Sequence, residues 1–196
     1  MIYGCANVLS CFHKLQYRVL GFLLAFACFF YPSAHAESAL PPVEYQVKAS
    51  LIFNFLSFVS WPPDSLDSKH ELNICIIGPD VYGKGLRTLE GEMVQGQTVT
   101  IKVISHWSND STEKCQVMIF TEGKSDALKG YLKDSSAKPV LTIGESPRFL
   151  EDGGVINLLI VEDRVGFEVN LMQAKLNRLN VSTKLLGLAK RVVTAP

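Results

Sequence analysis

The first 36 residues set what the rest of the chain can be. Lys14 and Arg18 precede an apolar run from Val19 to Tyr31, and Ser33-Ala34-His35-Ala36 then supplies a small-x-small site ahead of Glu37. A basic region, an apolar stretch of about a dozen residues and an A-x-A site form the layout of a secretory signal peptide. The run falls short of the ~20 apolar residues that a membrane span needs. A lipid anchor on Cys28 is disfavoured by the bulky Phe26 two residues before it. The expected division is a signal peptide over 1–36, a linker over 37–42, one domain over 43–192 and a tail over 193–196. The mature chain would be exported and soluble, with no direct membrane insertion. Its 160 residues, Glu37–Pro196, suffice for a single domain with its own core.

Removing the leader changes the charge and the cysteine count. The mature chain keeps 17 basic against 19 acidic side chains, a net charge of −2. That gives no clustered basic face for nucleic acid. Cys5, Cys11 and Cys28 leave with the leader, and Cys75 and Cys115 remain. Two cysteines in an exported chain read as one disulfide, or as two buried free thiols.

Apolar periodicity orders the domain. Val43–Ser60 reads as a helix, ended by Trp61-Pro62-Pro63, because a residue before proline is pushed out of the helical region. Its polar stripe is thin, Gln46-Ser50-Asn54-Ser57, and no charge occurs from Ala49 to Pro63. A helix this apolar is buried in its own domain or covers a partner. Leu72–Gly78, Cys115–Thr121 and Val140–Ile143 are short apolar runs that suit buried strands. Val99–Ile104 alternates, as a half-exposed strand does, with an edge position as one reading. Helices are expected at Val81–Glu92, Ser125–Ser135, Leu171–Leu179 and Lys184–Val192, with a single helical turn at Pro147–Glu151 and a polar loop at Ser108–Lys114. Val155–Val161 and Val165–Val169 form a hairpin around Glu162-Asp163-Arg164. Strands alternating with helices give an α/β fold: one compact domain, a largely parallel sheet with an antiparallel hairpin, and helices on both faces.

No constellation in the chain carries catalysis. Gly78-Pro79-Asp80-Val81-Tyr82-Gly83-Lys84-Gly85 has the spacing of a phosphate-binding loop up to its lysine, but Gly85 stands where a magnesium-binding hydroxyl belongs. Pro79 also removes one backbone donor. The segment reads as a strand-to-helix turn, with a small ligand at Gly78, Asp80 and Gly83 as the sharper alternative. His70 and His106 lack partners at ligand spacing, so no metal and no cofactor are expected. Gly144-Glu145-Ser146-Pro147 lacks the second glycine of a nucleophile elbow. Trp61, beside a rigid break, either closes the core or anchors a partner together with Phe53 and Phe58.

Several stretches together resemble the YfiR family of periplasmic proteins, the DUF4154 domain. They are Glu44-Tyr45-Gln46-Val47-Lys48-Ala49, continuing through Phe53-Asn54-Phe55 to Trp61-Pro62; Ile74-Cys75-Ile76-Ile77-Gly78-Pro79-Asp80; Cys115-Gln116-Val117-Met118-Ile119-Phe120; Pro139-Val140-Leu141-Thr142-Ile143; Gly153-Gly154-Val155-Ile156-Asn157-Leu158; Phe167-Glu168-Val169-Asn170-Leu171; and Val181 to Ala189. The likeness spans nearly all of 43–192. It implies a non-enzymatic regulator in the periplasm that binds the sensor region of a membrane-bound diguanylate cyclase and represses it, keeping cyclic di-GMP and biofilm formation low. It implies a compact α/β fold, often dimeric, so a homodimer is a further expected partner. The family's disulfide cysteines fall on Cys75 and Cys115. Some relatives carry a second pair nearer the carboxyl terminus, which this chain lacks. A periplasmic small-ligand-binding protein is the alternative.

Cleavage after Ala36 is the first testable expectation. Mass spectrometry of the exported protein should find its amino terminus at Glu37; an intact Met1 or a lipidated Cys28 would overturn the assignment.

Overall fold

The computed structural model describes residues 42–65, 70–108, 112, 114–121, 123–134 and 138–195. The leader and most of the linker lie outside these residues, as does part of the loop at 108–114. Ten strands and five α-helices are formed among the described residues.

Helix α1 (Pro42–Phe58) leads into the two-residue strand β1 (Val59–Ser60) and a single 3-10 turn at Pro63–Ser65. Pro42 opens the helix, where its missing N–H costs nothing. Strand β2 (Glu71–Ile77), helix α2 (Gly83–Arg87), β3 (Met93–Val94) and β4 (Gln97–Ile104) follow. Next come β5 (Val117–Phe120), α3 (Ser125–Asp134) and β6 (Leu141–Gly144). The hairpin strands are β7 (Ile156–Val161) and β8 (Arg164–Asn170), and α4 (Leu171–Leu176), β9 (Asn180–Val181), α5 (Thr183–Leu186) and β10 (Arg191–Val193) complete the order.

Eight strands form one sheet in the order β10-β8-β7-β6-β5-β2-β4-β3. The run β4-β2-β5-β6-β7 is parallel; β3 and β8 are antiparallel to their inner neighbours, and β10 returns parallel to β8. β1 and β9 form a separate pair, Val59 opposite Val181. Because side chains alternate along a strand, two cores result. Leu72, Ile74, Ile76, Val117, Ile119, Leu141 and Ile143 meet α1 through Ile52, Phe55 and Leu56. On the opposite face Cys75, Ile77, Met118 and Phe120 meet α3 through Leu128 and Tyr131.

This is the expected α/β architecture, with several corrections. The helix expected over Val81–Glu92 is only Gly83–Arg87, because the chain turns at Gly91 (φ 81°) into the β3–β4 hairpin. The helix expected over Lys184–Val192 ends at Leu186, and Arg191–Val193 is instead a strand paired with Glu168–Asn170. Tertiary pairing with β8 wins there over local helical pattern, as two adjacent β-branched valines favour. The expected helix at Leu171–Leu179 stops at Leu176, capped as anticipated by Asn170, whose side chain accepts from the Gln173 N–H at 2.9 Å. Pro147–Glu151 is a series of turns in which Phe149 packs onto Gly144 and Gly154; a Cβ on either glycine would overlap its ring.

Cys75 and Cys115 form a disulfide with Cα atoms 5.9 Å apart, on the α3 face of the sheet. It ties β2 to the residues just ahead of β5. Closing a 40-residue separation stabilises the fold by about 4 kcal/mol in the chain-entropy account. Replacing both cysteines with serine should therefore lower the unfolding free energy by about 4 kcal/mol, with alkylation of the native wild type labelling neither thiol. Free labelling of both without reductant would refute the bond.

Candidate functional site

The charge-poor helix α1 exposes one face and buries the rest. Gln46, Ser50, Asn54 and Ser57, the polar stripe of the sequence, lie on the exposed side with Val43 and Val47, which are 66% and 43% exposed. Phe53 and Phe58 are half-buried at the flanks, both packed against the core. Trp61 is buried, and its indole N–H donates to the Gln116 carbonyl at 3.2 Å. A shallow cavity of about 200 Å³ runs between α1 and α2, bordered by Ala49, Phe53, Gly85 and Leu89. The Gln95 amide, held at positive φ, donates to the carbonyls of Leu56 and Val59 and closes the carboxyl end of α1. The outer surface of α1 is thus an uncharged face, fixed at its carboxyl end.

The turn at Gly78, Asp80 and Gly83 satisfies itself. One Asp80 oxygen accepts from the Gly83 N–H at 3.0 Å, and the other pairs with Arg87 at 2.8 Å. Gly78 has φ 115°, and a Cβ there would collide with the Thr121 hydroxyl. The Gly83 backbone N–H is thus already committed to Asp80.

A polar cluster that the sequence did not announce lies beneath the first turns of α1. Lys48 is nearly buried. Its ammonium contacts Glu145 at 2.6 Å and Glu44 at 2.7 Å, and lies 5.1 Å from the centre of the Tyr45 ring. Tyr82 donates its hydroxyl proton to the other Glu145 oxygen and meets Tyr45 edge-on, with ring centres 5.5 Å apart. Glu145 follows β6 and Tyr82 follows β2, so the cluster caps the carboxyl ends of two parallel strands that flank β5. Burial alone draws the Lys48 pKa down, but the hydrogen bonds to Glu145 and Glu44 outweigh it and leave it above the ordinary lysine value. Burial, and then the Glu145 charge, push the Tyr82 phenol well above its ordinary value. One visible signal was available: Tyr45, Lys48, Ala49, Ile52, Phe55 and Leu56 recur at helical spacing. Lys48 therefore stands inside the buried stripe.

A wider cleft, about 460 Å³, lies at the other end of the sheet and is lined by Leu150, Glu151, Asn170, Met172, Arg191 and Val193, among others. Arg191 donates to both oxygens of Glu168, at 2.8 and 3.1 Å, and to Glu151 at 3.2 Å. The bonds to Glu168 and then to Glu151 raise the guanidinium pKa, while a backbone N–H first, and Arg191 second, hold the Glu151 carboxyl below its usual range. None of the residues expected to bind a partner or ligand lines this cleft. Among the described residues no three His, Cys, Asp or Glu side chains converge as metal ligands. No helix among them is long and apolar enough to cross a membrane.

A family profile described as DUF4154, YfiR/HmsC-like, matches residues 45–190. The chain belongs to the YfiR/HmsC-like family. The matched span begins at Tyr45 in the cluster and ends one residue before β10. The structure is similar to the crystal structure of a conserved domain protein from Vibrio cholerae O1 biovar eltor, with TM-score 0.52 and 12% identity over 76% of this chain. It is also similar to an ABC domain from Streptococcus pneumonia solved in complex with L-Trp, with TM-score 0.49 and 10% identity over 76% of this chain. The chain spans 60% of the length of each of these. The first likeness is one of fold alone.

The cluster predicts an alkaline limit. Lys48 and Tyr82 both hold their protons more tightly folded than unfolded. Above about pH 10 the unfolded chain binds fewer protons, so stability falls as pH rises, having been fully present below. Tyr82→Phe should make that fall shallower in a series of urea unfolding curves between pH 8 and pH 11. An unchanged slope would contradict the raised phenol pKa.

Proposed function

We propose that this YfiR/HmsC-like protein is a periplasmic, non-enzymatic regulator that binds the sensor region of a membrane-bound diguanylate cyclase and holds it inactive. Cyclic di-GMP and biofilm formation then stay low. The family match over residues 45–190 carries this reading. The outer face of α1 supports it: an exposed helix face with two exposed valines and no charge resembles the charge-depleted centre of a protein interface. Phe53 and Phe58 would border the contact. Trp61 would support it from below, since its indole is buried and hydrogen-bonded. The disulfide suits export to an oxidising compartment.

A second reading, a small-ligand-binding protein, is favoured by the cleft beside Arg191, whose volume lies in the range of small-molecule sites. Equilibrium dialysis of the mature protein against a panel of small metabolites separates the readings. A ligand that leaves cyclase binding untouched would favour the second.

Deleting the gene should raise cellular cyclic di-GMP, and the mature protein restored to the periplasm should lower it again. Val47→Glu should weaken binding to the purified sensor region by about tenfold, or ~1.4 kcal/mol, with an unchanged unfolding midpoint. Trp61→Ala should instead lower stability by about 3–5 kcal/mol. Unchanged cyclic di-GMP on deletion would remove the repressor reading.

A further inference from the structure

Helix α1 is anchored by two different kinds of contact. From Ile52 onward it is held by apolar burial: Ile52, Phe55 and Leu56 are fully enclosed. Before Ile52 the buried side chains described are only Lys48 and Ala49. Val43, Gln46 and Val47 are exposed, and the Tyr45 ring is half-buried against Tyr82. The first two turns are therefore held by the Lys48 bond to Glu145, 97 residues away in sequence, by the Tyr45 ring against Tyr82 and by the small Ala49 against Gly85, with none of their described large apolar side chains fully enclosed. The Lys48–Glu44 contact lies within the helix itself and anchors it to nothing.

Beneath these turns lie Tyr82, Gly85 and Glu145. A Cβ on Gly85 would sit 3.3 Å from that of Ala49, so the helix can approach α2 closely. This place, above the carboxyl ends of β2 and β6, adjoins the point where the strand order reverses beside β2. Open α/β sheets leave a crevice at such a position. Here the chain fills it with its own helix. We infer that residues 42–50 are a strap, latched over the strand ends by Lys48 and Glu145, which opens as a unit while Ile52–Phe58 stays docked.

Physical asymmetry gives the strap its independence. Segments with few buried apolar contacts open locally, below the free energy of global unfolding. When the strap lifts, Lys48 and Glu145 regain water, which offsets much of the lost ion pair. The apolar half of α1 has no such compensation. Val43 and Val47 ride on the outer side of the same two turns. A partner gripping them would favour the latched or the open form; this last step rests on the regulatory reading above, and the strap itself does not.

Amide hydrogen exchange of the mature protein alone tests the strap. Lys48→Met keeps most of the side-chain bulk and removes the latch. In the wild type, residues 47–50 should exchange at a lower free energy than residues 54–58 and β5, with a weaker dependence on added urea, and this variant should speed exchange at residues 47–50 by about tenfold or more. Glu145→Gln, a milder change, should act in the same direction at the same amides. Equal exchange free energies and equal urea dependence along all of α1 in the wild type, or no acceleration at residues 47–50 in either variant, would overturn the inference. Because no cyclase is present, these outcomes are independent of whether the protein represses one.

Discussion

Strand β2 is the member on which the other parts depend. It is hydrogen-bonded in parallel to β4 on one side and β5 on the other, and it supplies side chains to both cores. Leu72, Ile74 and Ile76 face α1, while Asn73, Cys75 and Ile77 face α3 by alternation. A slip of one residue would turn Cys75 away from Cys115 and drive Asn73 into an apolar layer. Asn73 also fixes that register by its own bonds. Its backbone N–H donates to the Gln116 side chain at 2.8 Å, and its side-chain oxygen accepts from Lys102 at 2.9 Å. At the far end Gly78 turns the chain at a φ that favours glycine, which sets the course that brings Tyr82 beneath α1.

Much of this was legible because buried parallel strands are written as continuous apolar runs. Leu72–Gly78 and Cys115–Thr121 are of that kind, and their observed counterparts differ only at the ends. The hairpin of β7 and β8 was also plain, although its turn uses Glu162 and Asp163 at positive φ rather than the usual Asn-Gly. What escaped was set by distant partners. Two-residue strands such as β1 and β9 have no local signature, since Val59 is extended only because Val181 lies opposite. Arg191–Val193 was hidden for the same reason. The expected partner face was legible as an uncharged stretch, yet which residues faced outward was not. Trp61, the most conspicuous candidate, is enclosed, and the exposed apolar residues are the smaller Val43 and Val47.

The buried cluster explains why α1 looks over-apolar and yet carries one lysine on its inner side. The carboxyl ends of parallel strands gather chain turns and polar backbone that an aliphatic side chain cannot satisfy. A long side chain with a charged tip can cross the apolar layer and pair there. Lys48 does so, with its stem among core residues and its ammonium between two carboxylates. With Glu44 the cluster holds one cation against two carboxylates, and the hydroxyl of Tyr82 supplies the further donor that Glu145 needs. A buried group of this kind adds little net stability compared with a well-packed apolar one, but its geometry admits few alternatives.

That distinction bears on the regulatory reading. A repressor must present one fixed surface and must also be able to release its target. Apolar packing from Ile52 to Leu56 fixes the axis of α1, and the Gln95 amide fixes its carboxyl end. The amino-terminal turns are placed instead by a few directional bonds. Directional bonds have one good geometry and fail together when it is lost, whereas apolar contacts slide and repack. The uncharged face of α1 therefore combines a rigid half with a half that has two discrete states. A partner spanning both halves would be bound by the first and sense the second.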